Sequence, residues 1–223
     1  MTIKKKAIVL GGTIPHKELI SNLRERNYYI YLLDYAKNSL ARGLEDEYIL
    51  ESIFDKEKVL EVAKKLNVDL VISTCSGQAN VTACYVAEKL GLPKPYSYET
   101  ALNVTDKTLM KTKMNSAGIP TSEFSILEDS IDYELDNFDF PLVVKPADVY
   151  GSKGVRKVEN SKELNLFIKK AFDISRSNKV IVEEFVDGKE INIYMYIQNG
   201  KPYLLLLSEK IKIPFDNEYA VMQ

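Results

Sequence analysis

Between residues 6 and 92 short β-branched runs alternate with amphipathic stretches, and no other feature restricts the fold of this chain as strongly. Ala7-Ile8-Val9-Leu10 reads as a buried strand, Gly11-Gly12-Thr13 as a turn, and Lys17–Arg26 as a helix with Leu19, Ile20 and Leu23 on one face. Tyr29–Leu33 is a second strand, ending in Asp34. In Lys56–Leu66 the residues Val59, Leu60, Ala63 and Leu66 stand at helical spacing, and Val68–Ile72 follows as another buried strand. A further helix, Ala79–Leu90, is stopped by Gly91 with Pro93 behind it. Strands alternating with helices predict a parallel sheet with helices on both faces. Residues 1–96 are therefore expected to form an α/β, Rossmann-like domain with a parallel sheet.

The pattern changes after Pro93-Lys94-Pro95-Tyr96-Ser97-Tyr98, which reads as a linker. A short helix, Lys107–Ala117, ends at Gly118, and Ile119-Pro120 leads into extended chain. Phe140–Lys145, Val180–Phe185, Ile191–Ile197 and Tyr203–Ser208 read as strands, with Asn199-Gly200 a two-residue hairpin signal between the last two. One helix, Lys162–Ile174, interrupts them. Strand-rich sequence with hairpins predicts an antiparallel α+β second domain over residues 97–223.

Composition removes several function classes. Thirty basic and 32 acidic residues give a net charge of −2, with no basic run beyond Lys4-Lys5-Lys6, so neither a nucleic-acid footprint nor an anionic-membrane patch is expected. The apolar stretches Ala7–Leu10 and Tyr203–Leu207 fall far short of the ~20 residues that span a bilayer. The opening imitates a signal peptide, but its apolar part runs into Gly11-Gly12 without a small-residue cleavage site. Cys75 and Cys84 stand without a second pair or a histidine cluster, so neither a zinc site nor a disulfide scaffold is expected, and a reducing cytoplasm is. An apolar fraction of 45% suffices for a packed core.

Three segments of the second domain carry chemistry. Val143-Val144-Lys145-Pro146 sets a lysine at the end of an apolar strand, just before the loop Asp148-Val149-Tyr150-Gly151-Ser152-Lys153-Gly154-Val155. A lysine fixed by a strand, beside a loop whose glycines bring backbone N–H groups close to an anion, suits a phosphate grip. It is not a P-loop, because Gly-Lys-Ser/Thr is absent and the lysine precedes the loop. A surface lysine followed by a plain turn explains the same residues equally well. In Val182-Glu183-Glu184-Phe185-Val186-Asp187-Gly188-Lys189-Glu190 a strand leaves the sheet among acids. Backbone groups there suit an adenine edge and a carboxylate suits ribose hydroxyls, although a strand ending in solvated acids is the plainer account. Thr105-Asp106-Lys107, with Lys111 four residues on, opens a helix with Thr105 or Asp106 as its cap, and a first-turn lysine opposes the helix dipole unless an anion meets it.

In this order and spacing the segments resemble the ATP-grasp superfamily, specifically carboxylate–amine ligases and carbamoyl-phosphate-synthase-like proteins, from about Lys6 to Ser208. The matching elements are Val104-Thr105-Asp106-Lys107 through Gly118-Ile119-Pro120, Pro141–Pro146, Gly151–Val155, Val182–Val186 and Gly188-Lys189-Glu190. The resemblance implies that Lys107 and Lys145 contact nucleotide phosphates, that Ser152, Lys153 and Gly154 lie in the loop closing over them, that Glu183, Glu184, Phe185 and Val186 receive adenine, and that Glu190 binds ribose. It divides the second domain into a linker with a small helix (97–120), an ATP-clamp subdomain (121–190) and the start of a C-terminal subdomain (191–223). It implies MgATP as cofactor and a small carboxylate and an amine as substrates, the carboxylate being activated as an acyl phosphate that the amine or ammonia attacks. Such chemistry needs charge neutralisation and positioning rather than a protein nucleophile, so His16, expected on the first turn or surface of its helix, has no required catalytic role.

Family members carry Mg²⁺ ligands on a late strand and a Glu-x-Asn segment. After the hinge strands this sequence offers Glu209, Asp216 and Glu218, none in that setting, so no metal ligand is assigned and the chain is expected to be a front portion, inactive alone. A catalytically inert ATP-grasp-like binding or regulatory module is the alternative, and self-association through exposed sheet edges is expected. Gly11-Gly12-Thr13 and Asp34 suggest a dinucleotide site, but Gly-x-Gly-x-x-Gly is missing, so a nicotinamide oxidoreductase is a third and weaker reading. The resemblance instead assigns this domain to the acceptor substrate, with Gly11, Gly12, Thr13, Ser76 and Gly77 as candidate contacts; tight turns required by the fold account for them as well. Cys75 has no basic neighbour in sequence and is expected to be structural.

Overall fold

The computed structural model describes residues 4–130, 135, 137–149, 151–215 and 218–221, with 212–215 and 218–221 by backbone alone. Tyr150 and Asp216 lie outside the described residues. Two compact units meet in sequence between Met110 and Lys111.

The first unit is built on a four-stranded parallel sheet. Its elements are β1 (Lys5–Leu10), α1 (Ile14–Glu25), β2 (Tyr28–Asp34), β3 (Glu47–Leu50), α2 (Lys56–Leu66), β4 (Leu70–Ile72), α3 (Gly77–Leu90) and α4 (Tyr98–Thr105), and the strand order is β3-β2-β1-β4. Because side chains alternate along a strand, β1 and β2 feed two cores. Ile8, Leu10, Tyr31 and Leu33 pack with Val59, Ala63, Ala83 and Val86 of α2 and α3. Ala7, Val9, Ile30 and Leu32 pack on the other face with Ile20 and Leu23 of α1. That is the doubly covered sheet the alternation predicts. Local chemistry ends the helices: Asp55 accepts a hydrogen bond from the Lys58 N–H to start α2, and Gly91, at φ +65°, closes α3.

Two elements depart from the sequence reading. β3 was not anticipated, since its four residues are half-buried or exposed and are recruited by pairing with β2. The stretch read as a linker contains α4, started by Ser97, whose Oγ accepts from the Thr100 N–H.

The second unit begins within α5 (Lys107–Ser116) and continues with β5 (Phe124–Leu127), β6 (Leu142–Pro146), β7 (Arg156–Val158), α6 (Ser161–Ile174) and β8 (Val180–Glu184), the strands lying in the order β5-β8-β6-β7. β8 pairs antiparallel with both β5 and β6, and β6 antiparallel with β7. One face of this sheet is apolar: Leu127, Leu142, Val144, Val158, Val180 and Val182 pack against Leu164, Ile168 and Ala171 of α6.

Beyond β8 come the hairpin β9 (Ile191–Gln198) and β10 (Lys201–Glu209), then β11 (Lys212–Phe215) paired with β12 (Glu218–Val221). Asn199 and Gly200 both take positive φ, +50° and +75°, as a type I′ turn requires. The hairpin exposes apolar side chains on consecutive residues, among them Tyr194, Met195, Tyr196 and Ile197, and Leu204 through Leu207. Among the described residues no helix is long and apolar enough to cross a membrane.

Candidate functional site

The sheet face of the second unit opposite α6 gathers its charges. Register places Val143 across from Glu183 and Lys145 across from Ile181, so Lys145 and Glu183 share a face and lie diagonal to one another. Val182 and Val144, one residue away on each strand, point to the apolar side. A lysine and a glutamate thus emerge from otherwise apolar strands because the two-residue period turns them away from the core.

Glu183 is the centre of this face. Its carboxylate meets Lys111 Nζ at 2.7 Å through Oε2 and Lys145 Nζ through Oε1. Ser122 Oγ donates to Oε2 at 3.1 Å, while Lys111 Nζ donates to Ser122 Oγ at 2.6 Å and to the Ser122 carbonyl at 3.1 Å. Lys111 is only 4% exposed, and its ammonium stands 4.9 Å above the Phe124 ring. Burial on its own pushes the Glu183 carboxyl upward, but the two ammonium groups and their hydrogen bonds outweigh it and hold the group below the ordinary carboxylate value.

Sequence reasoning missed Lys111 in this role. Asp106 caps α5 by accepting from the Thr108 and Leu109 N–H groups, at 2.8 and 3.1 Å, and the lysine that reaches Glu183 is Lys111, one turn beyond Lys107. Its four-residue spacing from Lys107 was the available signal. Lys107 opens α5 inside the first unit, whereas Lys145 and Glu183 belong to the second.

The neighbouring residues are placed as follows. Gly151, Ser152 and Gly154 take positive φ between +59° and +74°, and Ser152, Lys153 and Gly154 are exposed. Gly154 also has a packing reason: a Cβ there would fall 2.3 Å from Ile174 Cδ1 and 3.2 Å from the Pro146 ring. The N–H groups of Glu184 and Phe185 are committed to the Glu123 and Pro141 carbonyls. Lys157 Nζ lies 4.3 Å over the Phe185 ring. Glu190 pairs with Lys210, and Glu209 with Lys189 at 3.5 Å.

The first unit holds a separate cavity of about 320 Å³ at the C-terminal ends of its strands, where open α/β sheets take ligands. Gly11, Gly12, Thr13 and Ser76 line it, along with His16, Asp34, Ser39 and Cys75; Gly77 begins α3 beside them and lines an adjoining apolar cavity of about 680 Å³. Ser76 caps α3, accepting from the Ala79 N–H at 3.4 Å. Cys75 is exposed, with φ +56°, so the expectation of a packed structural cysteine fits Cys84, which is buried, and not Cys75.

His16 corrects another expectation. It lies in the first turn of α1 but is 1% exposed, because Gly11 has no side chain and the ring rests on it. The Thr13 N–H donates to His16 Nδ1 at 3.2 Å, and Thr13 Oγ1 is 2.8 Å from the same nitrogen. Nδ1 is therefore an acceptor and the proton sits on Nε2, which is buried against the Leu10 carbonyl without reaching hydrogen-bond geometry. Burial lowers the His16 pKa below its ordinary 6.5. The sign follows: the folded state prefers the neutral ring, so its contribution is complete above 6.5 and is lost as pH falls through the depressed folded value. Chemical denaturation of wild type between about pH 7 and 5 is expected to show stability falling with acidity, and His16→Gln a shallower slope; equal slopes would remove His16 as the cause.

The fold around these two sites is that of ATP-grasp ligases. The family described as D-ala D-ala ligase C-terminus matches residues 113–214, which form an ATP-grasp domain. Among curated relatives, the formate-dependent phosphoribosylglycinamide formyltransferase of Prochlorococcus marinus is 27% identical over 205 residues, covering 88% of this chain and 52% of that protein. The phosphoribosylamine–glycine ligase of Methanococcus vannielii is 28% identical over 209 residues, covering 86% and 46%. The L-amino acid ligase of Bacillus licheniformis superposes with a TM-score of 0.75 at 22% identity, covering 98% of this chain and 55% of that one. The ADP complex of N5-carboxyaminoimidazole synthetase from Staphylococcus aureus does so with a TM-score of 0.75 at 19% identity, covering 97% and 57%. The chain spans about half the length of the curated relatives it matches.

Proposed function

We propose that this chain serves ATP-dependent carboxylate–amine ligation, with the charged sheet face of the second unit gripping the nucleotide. The observation that carries this reading is the convergence of Lys111 and Lys145, from a helix and a strand, on the single carboxylate of Glu183. ATP, when bound, supplies the phosphoryl group that activates a carboxylate for attack by an amine. The residues here suit its polyphosphate: two ammonium groups held in place by a carboxylate and Ser122 neutralise charge without having to reorganise. Ser152, Lys153 and Gly154 belong to the same phosphate site in this reading. Glu184, Phe185 and Val186 flank the base, and Glu190 exchanges Lys210 for the ribose hydroxyls.

Mg²⁺ commonly takes one or two carboxylates together with substrate phosphates. Among the described residues no group of three or more His, Cys, Asp or Glu side chains converges, and no residue is assigned to the metal.

Calorimetric titration of MgATP into the full chain tests the reading. Lys145→Ala is expected to weaken binding by about tenfold or more, the scale of one charge-assisted contact. Equal affinities for wild type and variant would sink the phosphate assignment.

A further inference from the structure

The loop between β6 and β7 is fastened at both of its roots to one corner of the second unit, the C-terminal end of α6. At the entry, Asp148 Oδ1 accepts from the Arg176 N–H at 3.1 Å, and Ser175 Oγ lies 3.3 Å from the same oxygen. Ser175 is the C-cap of α6, and its hydroxyl meets the Lys179 N–H at 3.1 Å and the Lys179 carbonyl at 2.9 Å. The Ala147 N–H donates to that carbonyl as well, at 3.1 Å. One carboxylate thus joins the end of β6 to a helix terminus 28 residues further along the chain.

At the exit, Gly154 sits between Pro146 and Ile174. Ile174, 44% exposed in the last turn of α6, covers its bare backbone so closely that a Cβ on residue 154 would collide with Ile174 Cδ1. A cavity of about 350 Å³ is lined by Gly154 and by Phe167, Lys170 and Ala171 of α6, so continuous packing does not carry the exit, and the contact with Ile174 does.

The residues between these roots that the resemblance sets on nucleotide phosphates, Ser152, Lys153 and Gly154, are exposed. A segment with few buried contacts opens locally at little cost, and ordering it on binding consumes part of the interaction energy. Ties at both roots shorten the stretch that has to be ordered, and a group misplaced by about 1 Å is enough to weaken a phosphate grip.

We propose that Asp148 and Ile174 are positioning residues for the phosphate site, acting without touching the nucleotide by fixing the two roots of the loop that carries Ser152, Lys153 and Gly154. The positioning role rests on the ligase reading; the tie between Asp148 and the end of α6 does not. A tie that served stability alone would leave nucleotide affinity unchanged in a folded variant.

Amide hydrogen exchange of the nucleotide-free full chain tests the tie, and calorimetric titration with MgATP tests its use. Asp148→Ala is expected to speed exchange at the Arg176 amide and to weaken MgATP binding, each about tenfold, the scale of one hydrogen bond to a charged group. Asp148→Asn keeps the accepting oxygen and is expected to preserve both. In a Lys153→Ala background the further loss on Asp148→Ala is expected to be smaller, because residues that act through one loop do not add. Ile174→Ala, at a half-exposed site, is expected to weaken MgATP binding too, and it decides the matter if a melting curve shows that Asp148→Ala does not fold. The inference is overturned if Arg176 exchange is unchanged, if folded Asp148→Ala or Ile174→Ala binds MgATP as wild type does, if Asp148→Asn is as weak as Asp148→Ala, or if the Asp148 and Lys153 losses simply add. Wild type that binds MgATP no better than these variants do overturns the positioning role alone; wild type that does not bind MgATP overturns the ligase reading and the role together.

Discussion

Glu183→Ala is expected to destabilise the second unit by about 3–5 kcal/mol, the cost of stranding buried charges. Lys111, 4% exposed, would keep its ammonium in a dry environment with Ser122 as its remaining hydrogen-bond partner. Lys145 would lose its carboxylate too. Urea denaturation measures the loss, and Lys111→Met in the Glu183→Ala background is expected to recover part of it by removing the most buried of the stranded charges. A single-variant loss below about 1 kcal/mol would mean that water reaches the cluster and that the three charges are not organised by the fold. The pH dependence has a fixed sign. Because the Glu183 carboxyl is held below its ordinary value of 4.5, its contribution is complete above that value and disappears as pH falls through the lower folded one.

Ile168→Ala is the second large effect, expected at about 2–5 kcal/mol. Ile168 is fully buried, at 0% exposure, in the cluster formed by Leu142, Val144, Val180 and Val182 beneath α6. The strands that bury those valines carry Lys145 and Glu183 on their opposite face. Loosening the apolar side should therefore weaken MgATP binding as well, with no polar group altered. Thermal unfolding and calorimetry on one sample separate the two consequences. A destabilised variant with unchanged affinity would show that Glu183 fixes the lysines without help from the packing beneath the sheet.

Much of the frame was legible because its signals are local. The run Ala7–Leu10, the spacing of Val59, Leu60 and Ala63, the Gly91 stop and the Asn199-Gly200 turn each specify backbone conformation within a few residues, and each is found as expected. β3 was not legible: Glu47–Leu50 has neither an apolar run nor a clean alternation, and it becomes a strand by adding to the edge of β2. α4 was hidden by the prolines just before it, although Ser97 supplies an ordinary cap.

The sites divide in the same way. Lys145 and Glu183 could be singled out from the sequence, each being a charged residue closing an apolar strand. What they touch could not, because their contact depends on a register between strands 38 residues apart in sequence. The burial of Lys111 depends on how Ser122 and Phe124 meet α5, and nothing within a turn of Lys111 encodes that. His16 was expected on the first turn or the surface of its helix; it lies in the first turn, and a bare Gly11 five residues earlier gives the ring a buried place.

By itself, then, the sequence determined the elements and their alternation, since hydrophobic period, caps and turn residues act over distances of one helical turn or two strand residues. Tertiary structure alone decided which polar atoms have partners. Pairing of Glu183 with two lysines is a property of side chains brought together from distant segments and largely withdrawn from water, where an unmet hydrogen bond is costly.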